Sequence, residues 1–298
     1  FKRIVAVAVC AVLVFGVGGV IFLARSGGEE QVTLNVYNWG QYIADGSDDS
    51  MDIIAEFERR YPNIKVNYQT YDSNETMYTK LQAGDSYDVL VPSDYMIEQM
   101  IDEGMLNKLN YDNIPNYKNI DKHMHNLSFD PDNEYTVPYM WGTMGILYNT
   151  KMVDEEVNSW NILWDEKYKG NIYMLNQERD MISIALKKCG YSMNSDNDAE
   201  LKEAEDALVK QKGLVKAYCG DEIKDNMINN GAALAIVWSG DAYYCIEQNP
   251  DLAYAIPEEG SNLWFDCMVV PTTSEHQSEA EKFIDFMSKP EIAKMNAE

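Results

Sequence analysis

Four short stretches of this sequence each set an aromatic ring beside a hydroxyl, an amide or a carboxylate. They are "NWGQY" with Trp39 and Tyr42, "PSDY" with Ser93, Asp94 and Tyr95, "VWSGD" with Trp238 and Asp241, and "LWFD" with Trp264 and Asp266. Rings and carboxylates together suit an organic cation. An ammonium group is drawn to a ring face by about 0.5–2 kcal/mol. It must also satisfy three N–H donors, for which carboxylates are the strongest acceptors. Rings further cover the methylenes between two amines, so a flexible diamine or triamine uses every element of the set. A sugar site would want more Asn, Gln and Arg, and an anion site would want Lys or Arg. Any of these rings could equally anchor a core, and that reading is preferred for Trp160 and Trp164 in "SWNILWDEKY". For the others, the coincidence of ring, acid and strand end favours a cleft.

Catalysis finds no support in the pattern. There is no G-x-S-x-G, H-E-x-x-H, P-loop or dinucleotide G-x-G-x-x-G, and the three histidines lie in polar stretches unsuited to a general base. His123 and His125 in "DKHMHN" have neither a cysteine nor an i, i+4 partner for a metal, and no cofactor is expected. Cys189, Cys219, Cys245 and Cys267 are spaced 30, 26 and 22 residues apart, which fits isolated buried thiols better than zinc or a disulfide framework.

Elements that alternate strand and helix position these residues. "VTLNVYNW" reads as a strand, "MDIIAEFERRY" as a helix, "IKVNYQTY" as a strand, "ETMYTKLQAG" as a helix capped by glycine, "YDVLVPS" as a strand and "DYMIEQMIDEG" as a helix. After a polar, asparagine-rich stretch from Asn107 to Asn133 and the run "YTVPYMWGTMGILYNT", a second series begins. Helices are expected near Glu178–Lys188, Ala199–Lys210 and Asp221–Asn229, between the strands "LVKAY", "ALAIVW" and "LAYAIP". The strand "DCMVVP" and the helix "SEAEKFIDFMSKP", stopped by its proline, close the chain. This order predicts an α/β fold with mainly parallel sheets, and 298 residues suffice for two lobes. Ligands of such sheets sit beyond the C-terminal strand ends, where the rings and acids fall.

Acidic residues outnumber basic ones 49 to 24, a formal charge of -25, which excludes nucleic acid and anionic surfaces as partners and suits cations. Most of these acids are read as a solvated surface. Residues Ile4–Ala24 form an apolar run of about 21 residues between Lys2, Arg3 and Arg25, long enough for a bilayer of roughly 30 Å. The basic pair ahead of this run places the chain beyond Arg25 outside the cytoplasm. An uncleaved anchor is favoured over a signal peptide, because the run exceeds the usual apolar region and "VIFLARS" offers no small-x-small site.

The phrases "YNWGQY", "TYDSNETMYTKLQAG", "SYDVLVPSDY", "FDPDNEYTVPYMWG", "SWNILWDEKYKG", "VWSGDA" and "LWFDCMVVP" resemble the spermidine/putrescine-binding proteins of polyamine ABC importers, from Val32 to Glu298. The resemblance implies a two-lobed periplasmic-binding-protein fold of type II with the ligand cleft between lobes, to which the apolar run adds an N-terminal transmembrane helix. The expected division is residues 1–30 as anchor and linker, 31–140 with 263–298 as one lobe, and 141–262 as the other. The resemblance implies a monomeric, non-enzymatic, extracytoplasmic binding subunit that passes a polyamine to ABC permease subunits, and the apolar run implies that residues 4–24 tether it. A sensor module of the same fold, or a binder of a cationic amino acid, are the alternatives. Carried over by position, Trp39, Tyr42, Ser93 and Tyr95 line the cleft, Trp238 and Trp264 sandwich the methylenes, and Asp266 grips an amine. Asp180 stands for a glutamate of the family and Gln177 for an aspartate of spermidine-preferring members, while Asp241 matches an acid of putrescine-preferring ones. Gly40 replaces a hydroxyl residue, and the mixture leaves the choice of polyamine open. Family members continue past the point that matches Glu298, so the chain is expected to be a fragment.

Overall fold

"VTLNVYNW" forms β1 (Val32–Trp39), buried on both faces in its second half, with Leu34 and Val36 in the core on one side of a sheet and Tyr37 in the core on the other. β1 pairs in parallel with β2 (Ile64–Tyr71) and with β3 (Val89–Leu90), giving the order β2-β1-β3. Between them run α1 (Ile53–Arg60), whose N-cap Asp52 accepts from the Ala55 amide at 2.8 Å, and α2 (Asn74–Gln82), whose N-cap Ser73 accepts from Thr76 at 3.1 Å. α3 (Asp94–Asp102) comes after β3.

The computed structural model describes residues 31–47 and 50–297. The expected span Ile4–Ala24 lies outside the described residues, and among those described no helix is long and apolar enough to cross a membrane.

The asparagine-rich stretch after α3 folds into short 3-10 turns fastened to α8 (Gln277–Met287). The buried Glu281 carboxylate accepts from the Asn110 amide at 2.8 Å and from Asn113 Nδ2 at 2.6 Å, and Asp285 accepts from the Asn116 amide at 2.8 Å. These carboxylates give the loop backbone the partners that a sheet or helix would otherwise supply.

β4 (Val137–Asn149) is the longest strand described and serves two sheets. Its first half, Val137–Thr143, pairs antiparallel with β9 (Leu263–Met268). Its second half pairs with β7 (Leu234–Trp238) and β8 (Leu252–Ala255). β5 (Ile172–Leu175) and β6 (Ala217–Cys219) extend the second sheet in the order β6-β5-β7-β4-β8. Around it lie α4 (Glu178–Lys188), α5 (Asp198–Gln211), α6 (Ile223–Ile228) and α7 (Ser239–Gln248). On its other side β9 and its continuation meet β3: Leu90 and Val269 exchange backbone hydrogen bonds at 3.0 and 2.9 Å, and Ser93 bridges Asp266. Apolar side chains gather in separate cores, from Met144 to Leu252 around the second sheet and from Leu34 to Val137 with Cys267 to Ile292 on the two faces of the first. The α/β class is the one expected, but the sheets are mixed instead of mainly parallel, because β4 runs antiparallel to β7, β8 and β9.

Several local readings differ. β5 and α7 are absent from the expected elements, and the last strand runs Leu263–Met268 instead of "DCMVVP". Pro290 does not merely stop α8. It opens α9 (Pro290–Ala297), where its missing N–H costs nothing. Trp160 is fully buried with its indole N–H donating to Gly260 O at 2.9 Å, and Trp164 donates to Ala207 O at 2.8 Å, so both are core anchors as expected. Cys219, Cys245 and Cys267 are buried free thiols, and the free Cys189 is partly buried.

Candidate ligand-binding site

Asp266 is the centre of the arrangement. It lies on β9 between Met140 of β4 and Ser93 beyond β3, only 6% exposed. Tyr42 donates its hydroxyl to Asp266 Oδ2 at 2.7 Å, and Ser93 donates to Oδ1 at 2.6 Å. Burial pushes the carboxyl up to about 7, against the pull of those two hydroxyls, and the nearby Asp94 and Asp180 carboxyls raise it further. None of these influences is a cation. Burial and Asp266 likewise hold the Tyr42 hydroxyl well above its usual range, so it stays a donor.

Local backbone explains how Tyr42 arrives there. β1 ends at Trp39, and Gln41 takes φ 50°, a left-handed value uncommon outside glycine, which reverses the chain before Tyr42. The register shift in β4 between Pro138 and Met140 frees Tyr139, whose ring meets Tyr42 edge-on at 5.5 Å and whose hydroxyl donates to Tyr42 O. Trp39 is held by its own N–H to Val91 O at 2.9 Å and by Tyr71 at a ring separation of 4.7 Å.

Three helices begin at this site without a side-chain cap. Ser93, Gln177 and Trp238 occupy the N-cap positions of α3, α4 and α7, yet none of their side chains caps. In the case of Ser93 the reason is visible, since its hydroxyl goes to Asp266. A helix N-terminus carries a partial positive charge that favours anions. Here each first turn carries an acid, Asp94, Asp180 or Asp241, which offsets that field and makes the ends hospitable to a cation.

Asp180 is raised to about 6, first by burial, then by Asp94 and Glu75, while Arg179 and the neighbouring Trp238 indole pull it down. Asp94 is raised by burial although its oxygens accept from the Tyr95 amide at 2.7 Å and the Phe265 amide at 3.2 Å. The Tyr95 hydroxyl donates to Glu75 at 2.7 Å, and the Arg179 guanidinium lies over its ring at 4.1 Å. Trp264 lies against Gly142, and its buried indole N–H finds no acceptor among the described residues.

Of the residues expected from sequence, Tyr42, Ser93 and Asp266 are joined by direct hydrogen bonds, and the charge of Asp180 acts on Asp266. Gln177 instead donates to Asp72 O at 3.0 Å, a link between α4 and the end of β2. Asp241 is engaged by Lys224 at 3.3 Å. Asn74 is a member of the network that sequence reasoning misses. It is 3% exposed, donates to both Ser93 Oγ and Tyr95 Oη at 3.0 Å, and accepts from the Ser93 amide at 3.1 Å. Its signal in the sequence is an amide just after the capping Ser73, where it is not needed for the cap.

Over residues 52–298 the chain matches the family described as bacterial extracellular solute-binding protein. It is 34% identical over 273 residues to the spermidine/putrescine-binding periplasmic protein of Escherichia coli, covering 91% of this chain and 76% of that one. It is 36% identical over 279 residues to the putrescine-binding periplasmic protein SpuD of Pseudomonas aeruginosa, with 87% and 74% covered. Among solved structures, the spermidine/putrescine ABC transporter protein of Listeria monocytogenes superposes with a TM-score of 0.84 at 45% identity, over 89% of this chain and 80% of that one.

Proposed function

Because this chain belongs to the bacterial extracellular solute-binding proteins, and among them to the spermidine/putrescine-binding family, we propose that it captures a small polyamine outside the cytoplasm and delivers it to an ABC permease. The observation that carries the reading is Asp266, a buried carboxyl held by two hydroxyl donors, surrounded by further acids and by rings, with its proton affinity raised by burial and by the neighbouring Asp94 and Asp180. A ligand ammonium supplies that charge, and Trp39, Tyr95, Trp238 and Trp264 cover its methylenes.

In this reading residues 31–140 with 263–298 form one lobe and residues 141–262 the other, each supported by its own apolar core. The cleft lies between them, and Gln177 and Arg179 reach across it to Asp72 and Tyr95. The apolar stretch 4–24 tethers the lobes at the membrane. The family binds solutes, and no reaction is proposed.

A cationic amino acid is a poorer fit. Its carboxylate needs a basic partner, and Arg179 is laid over Tyr95 beside Asp94 and Asp180. Titration calorimetry with putrescine, spermidine and lysine tests the reading: a polyamine binds at least tenfold tighter than lysine. Lysine binding as tightly as both polyamines would overturn it.

A further inference from the structure

The segment that carries Tyr42 has little regular structure of its own. It leaves β1 at Trp39, and its far end is tied to α1 by Ala44 O, which accepts from the Ile53 amide at 3.0 Å, and by the bridge from Asp45 to Asp52. On one side it borders a cavity of about 240 Å³, lined in part by Tyr42, Ile43, Ala44, Tyr68 and Thr70, so packing alone does not fix where Tyr42 stands.

Asn296 of α9, 252 residues beyond Ala44, holds this segment at two points. Its Oδ1 accepts from the Ala44 amide at 3.1 Å, and its Nδ2 donates to the Tyr139 hydroxyl at 2.8 Å. A backbone amide can only donate, so the orientation of the Asn296 amide is fixed and Nδ2 is the atom that faces Tyr139. The Tyr139 oxygen therefore accepts from Asn296 and gives its own proton to Tyr42 O. Tyr42 in turn donates to Asp266 at 2.7 Å. One side-chain amide thus clamps the chain on both sides of Ile43, and a line of hydrogen bonds runs Asn296–Tyr139–Tyr42–Asp266.

We propose that Asn296 is a positioning residue for the ligand site, holding Tyr42 where its hydroxyl meets Asp266. It acts through Tyr139 and Ala44 and touches no ligand. What this means for ligand affinity rests on the polyamine reading, whereas its effect on Asp266 does not. The rival role is structural, a fastening of α9 to the loop after β1. A fastening lowers the melting temperature and leaves the titration of Asp266 alone. The Tyr42 hydrogen bond favours the ionised carboxyl, so losing it raises the pH at which Asp266 gives up its proton. Asp94 and Asp180, the other acids that act on Asp266, stay in place in every variant below.

Carbon-13 NMR follows the Asp266 carboxyl in the ligand-free protein, its signal assigned by loss in Asp266→Asn. The variants are Asn296→Ala, Tyr139→Phe, Tyr42→Phe and the double variant Asn296→Ala/Tyr42→Phe. The midpoint is expected to rise by about 0.5 pH or more in Asn296→Ala and in Tyr139→Phe, and the double variant to rise no further than Tyr42→Phe alone. Calorimetry with putrescine and spermidine at pH 6.5 should show binding weakened roughly fivefold or more by Asn296→Ala, and no such loss in the Tyr42→Phe background. An unchanged midpoint in Asn296→Ala, or a rise that adds in full to that of Tyr42→Phe, overturns the proposal. If Asn296→Ala does not fold, Tyr139→Phe decides by the same criterion, since it keeps the ring against Tyr42 and removes only the hydroxyl. A wild-type protein that binds neither amine sinks the polyamine reading, and the Asp266 titration still decides the role of Asn296.

Discussion

A carboxyl whose proton leaves only near pH 7 responds to whatever cation approaches it. In the free protein Asp266 titrates at about 7 and Asp180 at about 6, both raised chiefly by burial. A bound ammonium stabilises the ionised forms and lowers both values, so binding releases protons across that range. Affinity for a polyamine should consequently rise with pH from 5.5 to 8, by up to about one log unit per pH unit for each carboxyl that is titrating. Calorimetry in buffers of different ionisation enthalpy should register the released protons at pH 6.5, and Asp266→Asn should abolish most of the release. That variant should also weaken binding roughly 10- to 150-fold, the worth of a charge-assisted hydrogen bond of about 1.5–3 kcal/mol. Stability runs the opposite way. Asp266 is raised above its unfolded value, so its favourable contribution is full below about 4, falls as pH rises through about 7, and is absent above. Sequence proximity of rings and acids singled out Asp266 and Tyr42, which a hydrogen bond joins, although Asp266 stands inside β9 and not at a strand end. The partners of Gln177 and Asp241 were not legible, because Asp72 and Lys224 are distant in the chain and only the fold selects them.

At the scale of elements, the legible parts were those with a clear period. β2 follows the alternating stretch "IKVNYQTY", and α4 runs over the residues that its spacing predicted. β5 escaped because four consecutive buried residues, Ile172 to Leu175, have no alternation to betray them. α7 escaped because Ser239-Gly240-Asp241 resembles a turn, whereas Gly240 here sits in a helix opening at the end of β7. Strand pairing adds what no single element reveals. Gly142 stands opposite Trp264 in the β4–β9 register, and a Cβ there would lie 2.7 Å from both Trp264 Cζ2 and Ser239 Oγ. The absence of a side chain is what lets the indole lie against the strand. Gly142→Ala should displace the ring, costing about 1–3 kcal/mol in strain. The expected result is a polyamine affinity lower by tenfold or more with a shifted tryptophan emission maximum, while far-ultraviolet circular dichroism is retained. Wild-type affinity in that variant would remove Trp264 from the site.

For the molecule as a whole, the sequence conveyed an α/β chain with enough length for two cores, but not the strand that belongs to both. β4 contributes Val137 to one core and Met144, Ile146 and Leu147 to the other. β9 runs beside its first half, and Met268 with Val270 then enters the core that Val137 occupies. Neither sheet can lose its order while the other keeps this strand intact. Melting one core removes the backbone partners and the packed side chains that hold β4 in register for its neighbour. The two cores should thus form one cooperative unit rather than two independent ones. Differential scanning calorimetry should record a single peak whose calorimetric enthalpy equals its van't Hoff enthalpy. Two separable peaks would mean that the hydrogen bonds on either side of Thr143 can break independently, and that the long strand is a tether between two foldons instead of a shared spine.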